Sequence, residues 1–198
     1  MIEFHEKISD EPYQKFYRMY QNAFDAKQKN IEAVCISSLN ELDQVESRYV
    51  NLKYIDSEDW IFFSNYESPK AKSFINNNKI AALFFWNTIN VQIRMKATIK
   101  LSPEALSDEH FKNRSVEKNA LAISSNQSKK IKSYEDVVSR YENILQDKQA
   151  MKNRPSFWGG FTFTPFYFEF WEGHNNRLNK RQEYLKDNDN WKINFLQP

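Results

Sequence analysis

A chain of 198 residues can bury a real core, and much of its 40% hydrophobic content comes as the 16% that is Phe, Tyr and Trp. Twenty-eight Lys and Arg against 26 Asp and Glu leave a formal charge of +2. That balance does not point to a nucleic-acid binder, for which a strongly basic face is expected, so any anionic ligand must be held by a local cluster of cations.

The first predicted element is a helix. Tyr13, Phe16, Tyr17, Tyr20 and Phe24 recur at three- and four-residue steps, with Asp10 as N-cap and Pro12 in the first turn. Five runs of strand character follow: IEAVCISSL, SRYVNLKYI, WIFFSN, KIAALFFW and VQIRMKATIKL. Between the third and fourth, Ser68 and Pro69 open a short helix. Three more helices fit the centre: one from Ser102-Pro103-Glu104, one around Ala120, and one opening at Ser133 with Asp136 three residues on. The last of these gathers Tyr134, Val137, Val138, Tyr141, Ile144 and Leu145 on one face. Strands return at FYFEFWEG, RQEYLKD and WKINFLQ. Strands, then helices, then strands on short connections indicate an α+β fold around an antiparallel sheet or barrel. One domain over 1–198 is expected, with residues 1–9 as a flexible segment.

No apolar run approaches the ~20 residues that span a bilayer, so no membrane is expected. The N-terminal MIEFHEKISD lacks the apolar core of a signal peptide. A lone cysteine, Cys35, allows no intrachain disulfide and suits the cytoplasm.

Only three glycines occur, Gly159, Gly160 and Gly173, all in the segment PSFWGGFTFTPFYFEFWEG. The composition leaves no room for a glycine-rich dinucleotide or nucleotide loop. His5, His110, His174 and Cys35 show no metal-ligand spacing, and no Ser stands in a nucleophile elbow. An enzyme of this composition would draw its hard chemistry from an organic cofactor. The glycines themselves serve either close backbone approach or a tight turn into the last strands.

Arg48, Lys53, Lys70, Lys72, Gln92, Gln127, Ser128, Arg177 and Arg181 punctuate the pattern, and Trp171 could wall a flat ligand. Each alone reads as a solvated or structural residue. Together they offer cations for a phosphate and amides for a ring edge. Pattern alone goes no further than a phosphorylated aromatic small molecule.

The run PSFWGGF, then EFW, then RL with Arg181 three residues later, resembles the C-terminal signature of the pyridoxamine 5′-phosphate oxidases. SRYVNLK, IFFSNYESPKA, NNNKIAALFFW, VQIRMKA and NQS extend the resemblance from about Asp10 to the end. It implies an FMN-binding split β-barrel with peripheral helices, built as a homodimer with FMN at the subunit interface. The implied activity is oxidation of pyridoxine or pyridoxamine 5′-phosphate to pyridoxal 5′-phosphate, with O2 reduced to H2O2.

Carried over position by position, the resemblance assigns FMN contacts to Arg48, Tyr49, Val50, Asn51, Leu52 and Lys53. Phe63 and Ser64 stand for a Tyr-Thr pair, and Lys70, Gln92, Gln127, Ser128, Trp171 and Arg181 complete the FMN set. Lys53 and Arg114 fall at substrate-phosphate positions and Arg177 over the reacting ring. His110 replaces a Tyr, Lys118 a Ser, and Asn179 a His. Pro69 and Phe195 each replace an Arg, and the basic N-terminal segment is reduced to MIEFHEKIS. Arg177 and Asn179 are thereby the expected catalytic pair, and no metal is implied. Two alternatives stay open: a related flavin oxidase of the phenazine type with another aromatic substrate, and a non-catalytic split-barrel binder of flavin, pyridoxal phosphate or haem.

Overall fold

A computed structural model describes residues 1–6, 9–147 and 149–198. Its frame is a six-stranded antiparallel barrel made by β2 (Ala33–Leu39), β3 (Val45–Asp56), β4 (Asp59–Asn65), β5 (Lys79–Trp86), β6 (Val91–Leu101) and β7 (Trp158–Glu172). The ring closes in the order β3-β2-β5-β6-β7-β4 and back to β3. Closure removes the exposed sheet edges that would otherwise invite aggregation. Two long strands make it possible, because each changes partner along its length. Residues 45–51 of β3 pair with β2, whereas Leu52 to Asp56 pair with β4. Likewise the start of β7 pairs with β4 and its end with β8 (Lys180–Asp187), which carries β9 (Asn190–Leu196). This is the split-barrel fold expected from the family resemblance.

Alternation explains the strands. On β6, Val91, Ile93, Met95, Ala97 and Ile99 are buried, while Gln92, Arg94 and Lys96 point outward. Helix α1 (Glu11–Asp25) covers the barrel with Tyr13, Phe16, Met19, Tyr20 and Ala23. Its Phe16 is 1% exposed and meets Trp60, Phe84 and Trp86 at 4.5–5.5 Å between ring centroids. Burying one such ring stabilises the fold by about 1.5–3 kcal/mol. The side chain of Asp10, the expected N-cap, makes no cap bond and accepts from Trp191 Nε1 at 3.0 Å instead.

The remaining helices are α2 (Pro69–Asn76), α3 (Glu104–Asn113), α4 (Val116–Ser124) and α5 (Tyr134–Gln146). Ser133 caps α5 as expected, its Oγ accepting from the Asp136 amide at 3.3 Å. The apolar face foreseen on α5 is only partly covered, by packing on α4: Val137, Tyr141, Ile144 and Leu145 are half-buried, and none of its residues is fully buried in the single chain. No helix among the described residues is long and apolar enough to cross a membrane.

Two further expectations change. Residues 3–4 of the segment expected to be flexible form β1 (Glu3–Phe4), paired in parallel with Tyr54 and Ile55. Lys7 and Ile8 lie outside the described residues. The last long strand starts at Trp158, eight residues before the expected FYFEFWEG, so Gly159 and Gly160 lie inside a strand and no glycine has positive φ. They permit close approach, not a turn. A Cβ on Gly159 would strike the Tyr66 hydroxyl, and one on Gly160 would lie 2.6 Å from Ser102 Oγ and 3.2 Å from Phe63 Cε1. Gly173 is closed in the same way by the Asn90 amide.

Candidate functional site

An open cleft of about 750 Å³ lies between β3, β4 and the helical region. Tyr49, Val50, Asn51, Lys53, Phe63, Ser64, Lys70 and Gln127 line it, as do His110, Arg114 and Lys118. The fold thus brings together, in one chain, eight of the residues assigned to FMN and four of those assigned to substrate, Lys53 being common to both. A bulge places Lys53. Leu52 pairs with Phe62 and Tyr54 with Ile61, so Lys53 is an extra residue on β3 and its side chain is re-aimed.

At one end stands Lys70, in the first turn of α2. Its Nζ donates to Ser64 Oγ at 3.1 Å and Ser68 Oγ at 3.4 Å. Burial, and then the nearby Arg48 guanidinium, pull its ammonium down to about 8. Among the described residues it has no carboxylate partner. A half-buried cation ringed by hydroxyls and beside a helix N-terminus suits a phosphate. Arg48 itself donates to Ser38 Oγ on β2 (2.8 Å) and to Glu46 Oε2 on its own strand (2.9 Å). Leu52 is fully buried in the core. Gln127 accepts from Ser64 Oγ and from the Asn65 amide, and Ser128 beside it has φ 67°, the left-handed region.

The other end is cationic and aromatic. Arg114 lays its guanidinium 4.5 Å from the centre of the Trp158 ring, and its buried Nη1 has no hydrogen-bond partner. An orphaned buried donor of this kind marks a place for an acceptor. His110 stacks on Phe63 at 3.7 Å and 7°, and its Nδ1 lies 2.6 Å from the Tyr54 hydroxyl. Burial, then Arg114, Lys53 and Lys118, push its imidazole down to about 4, so it is neutral at pH 7. Among the described residues, none of Lys53, Lys70, Arg114 and Lys118 forms an ion pair. No group of three or more His, Cys, Asp or Glu among them could hold a metal.

The remaining assigned residues stand apart. Gln92, Trp171 and Arg181 are in register across β6, β7 and β8 on the outer face of the sheet. Asn179 and Arg181 line a separate cleft of about 220 Å³ with Lys15 and Phe195. Asn179 Oδ1 accepts from the His174 amide at 3.0 Å, closing a turn in which Arg177 is exposed and has φ 61°. A non-glycine residue held in the left-handed region carries strain often found at functional sites.

Sequence reasoning missed Trp158, Tyr54 and Glu169. Glu169 is 2% exposed, yet it gathers Arg94, Arg181 and the Tyr167 hydroxyl around its two oxygens. Its spacing gave a signal: two residues before Trp171 on a strand, it faces the same side.

Residues 21–154 match the family described as pyridoxamine 5′-phosphate oxidase, and residues 158–198 match the pyridoxine 5′-phosphate oxidase C-terminal dimerisation region. The chain is 38% identical over 169 residues to a pyridoxine/pyridoxamine 5′-phosphate oxidase of Colwellia psychrerythraea, covering 84% of this chain and 77% of that protein. A protein of the same name from Hydrogenovibrio crunogenus is 31% identical, with 96% and 90% covered. Among solved structures, PhzG from Burkholderia lata, in complex with tetrahydrophenazine-1-carboxylic acid, aligns at TM-score 0.89 and 25% identity over 96% of this chain and 93% of that one.

Proposed function

The chain belongs to the pyridoxamine 5′-phosphate oxidase family, and on that premise we propose an FMN-dependent oxidase that converts pyridoxine or pyridoxamine 5′-phosphate to pyridoxal 5′-phosphate. The observation that carries the proposal is one cleft with two separate phosphate-seeking ends. Lys70, with Ser64 and Ser68, fits the FMN phosphate, while Lys53, Arg114 and Lys118 beside the neutral His110 fit the substrate phosphate.

When bound, FMN supplies the two-electron acceptor, and O2 is the terminal oxidant, leaving as H2O2. The chain's part is binding and orientation. Phe63 and Trp158 give an aromatic wall, and Gln127 presents an amide at the cleft. The outer-face group of Gln92, Trp171, Arg177, Asn179 and Arg181 does not reach this cleft within one chain. A homodimer, supported by the match to the dimerisation region, would let each cleft take that group from a second copy. Arg177 and Asn179 would then orient the pyridine ring.

A second reading has a specific support. The likeness to PhzG, and Asn179 where the family has His, fit a flavin oxidase for another aromatic substrate. The two readings separate on the anion: three cations at the substrate end suit a phosphate dianion better than a single carboxylate. The test is formation of pyridoxal 5′-phosphate from pyridoxine 5′-phosphate under air by the FMN-loaded protein. Turnover that needs Arg114 supports the proposal. An FMN-loaded protein that turns over only unphosphorylated aromatic carboxylates overturns it.

A further inference from the structure

His110 lies among three basic side chains, Lys53, Arg114 and Lys118, and its position is defined on three sides. One face lies flat on Phe63, with Trp158 parallel to it at 6.2 Å and 14°. Its Nδ1 is tied to the Tyr54 hydroxyl. Nε2 has no hydrogen-bond partner among the described residues, and the side chain lines the cleft. We propose that His110 is a proton-coupled ligand of the substrate phosphate, neutral in the free cleft and protonated from solvent when a phosphate monoester enters. The inference rests on reading this end of the cleft as a phosphate-ester site.

The chemistry follows from the neighbours. Lys53 on β3, Arg114 at the end of α3 and Lys118 on α4 are the cations that act on the ring, and burial opposes charge as well. Tyr54 on β3 is a neutral phenol, raised by burial and then by Glu3 and Glu109. His5 also packs against the Tyr54 ring, at 5.0 Å. Phe63 on β4 and Trp158 on β7 bring no charge. In the free cleft nothing repays the cost of an imidazolium, so the ring stays neutral to about pH 4. A phosphate dianion placed among the three cations offsets most of their charge and sets an anion directly beside the ring, which favours the imidazolium. The added proton then makes Nδ1 a donor to the Tyr54 oxygen and Nε2 a donor to the phosphate. The hydroxyl of Tyr54 rotates to accept, as a phenol can. The family's Tyr at position 110 could donate one hydrogen bond there but could not take up a proton.

The consequence is a pH-dependent affinity particular to this chain. Phosphate-ester binding takes up close to one proton between the free and the bound titration ranges and weakens as pH rises through the bound one. The probe is 4-deoxypyridoxine 5′-phosphate, which can neither be oxidised nor form an imine. Calorimetric titration of the FMN-loaded protein at pH 6, in two buffers of different ionisation enthalpy, reads proton uptake per ligand bound. The ligand's own titration contributes equally to all variants. We expect wild type to take up about half a proton or more beyond His110→Tyr and His110→Phe. Should either variant fail to fold, NMR titration of the imidazole Cε1–H signals of wild type settles the matter. The His110 signal should move from a midpoint near 4 in the free protein to a clearly higher one with the ligand. Equal uptake in wild type and His110→Tyr, or an unmoved His110 midpoint, overturns the inference while leaving the phosphate site standing. No binding by wild type overturns both.

Discussion

Glu169 and Arg181 are joined across β7 and β8, the guanidinium Nε donating to Glu169 Oε1 at 2.9 Å and Nη2 forming an ion-pair contact with the same oxygen at 2.8 Å. The other carboxylate oxygen accepts from Arg94 at 2.8 Å and the Tyr167 hydroxyl at 3.1 Å. All three of its hydrogen-bond partners are donors, and two of them are guanidinium groups, so both carboxylate oxygens act as acceptors. It fixes the side chain of Arg181, a residue proposed to contact FMN from the second copy.

Replacing Glu169→Gln should therefore damage two properties together. The amide keeps the shape but leaves two arginines without their counter-charge. We expect a loss of about 1–3 kcal/mol, below the figure for a fully buried pair because Arg94 is half exposed. Thermal unfolding reads the stability, and fluorescence titration should show FMN bound several-fold more weakly. A variant with wild-type unfolding and wild-type FMN affinity would show that Glu169 does not position Arg181.

Lys70 makes FMN affinity fall on the alkaline side. Its ammonium titrates near 8 in the free protein, below its ordinary 10.5. The protonated form thus costs the free protein stability below about pH 8, and the cost is relieved as pH rises toward 10.5. A bound phosphate favours the protonated form, so binding above pH 8 must first return a proton to Lys70. Affinity should hold from pH 7 to 8, then weaken by up to about tenfold per pH unit. Lys70→Met should bind more weakly at pH 7 and lose most of that slope. Parallel slopes in the two proteins would count against Lys70 as the phosphate ligand.

Gly160 touches the site through Phe63, its register partner on β4. A methyl there must displace Ser102, whose Oγ hydrogen-bonds Thr162 at 2.7 Å, or push on the Phe63 ring that carries His110. Gly160→Ala should cost about 1–3 kcal/mol by overpacking and weaken phosphate-ester binding as His110 shifts. Chemical denaturation with an unchanged midpoint would mean that the strand gives way freely.

How far the sequence could be read follows from what sets each feature. Barrel strands were legible because alternation on β6 and the turn residues between strands are local signals. The start of β7 was not, since Gly159 and Gly160 signal a turn locally and only the packing of Tyr66, Ser102 and Phe63 explains them as strand residues. The cleft residues of β3 and β4 could be named from their motifs. The stacking of His110 on Phe63, with Tyr54 edge-on to both, could not, because positions 54, 63 and 110 meet only through tertiary packing. The partly covered face of α5 and the outer-face group on β6 to β8 were opaque as well. For the outer-face group the proposed partner is on another chain, and periodicity within one chain does not say what covers a face.

Asn179 offers the sharpest test of substrate. Its Oδ1 closes the turn that holds Arg177 at positive φ, so it has a structural task that a His could keep through Nδ1. What Asn cannot do is reach as far or carry a proton near neutral pH. A missing contact of this kind costs about 1–3 kcal/mol when its buried partner is left unpaired, roughly 5- to 150-fold in kcat/KM. Wild type should therefore oxidise pyridoxine 5′-phosphate slowly, Asn179→His should raise kcat/KM within that range, and Arg177→Ala should nearly abolish turnover with FMN retained. Measured side by side as pyridoxal 5′-phosphate formed under air, these three define the ring-orienting pair. If wild type and Asn179→His are both inactive with FMN bound, the ring recognised is not that of a B6 phosphate, and the phenazine-type reading takes its place.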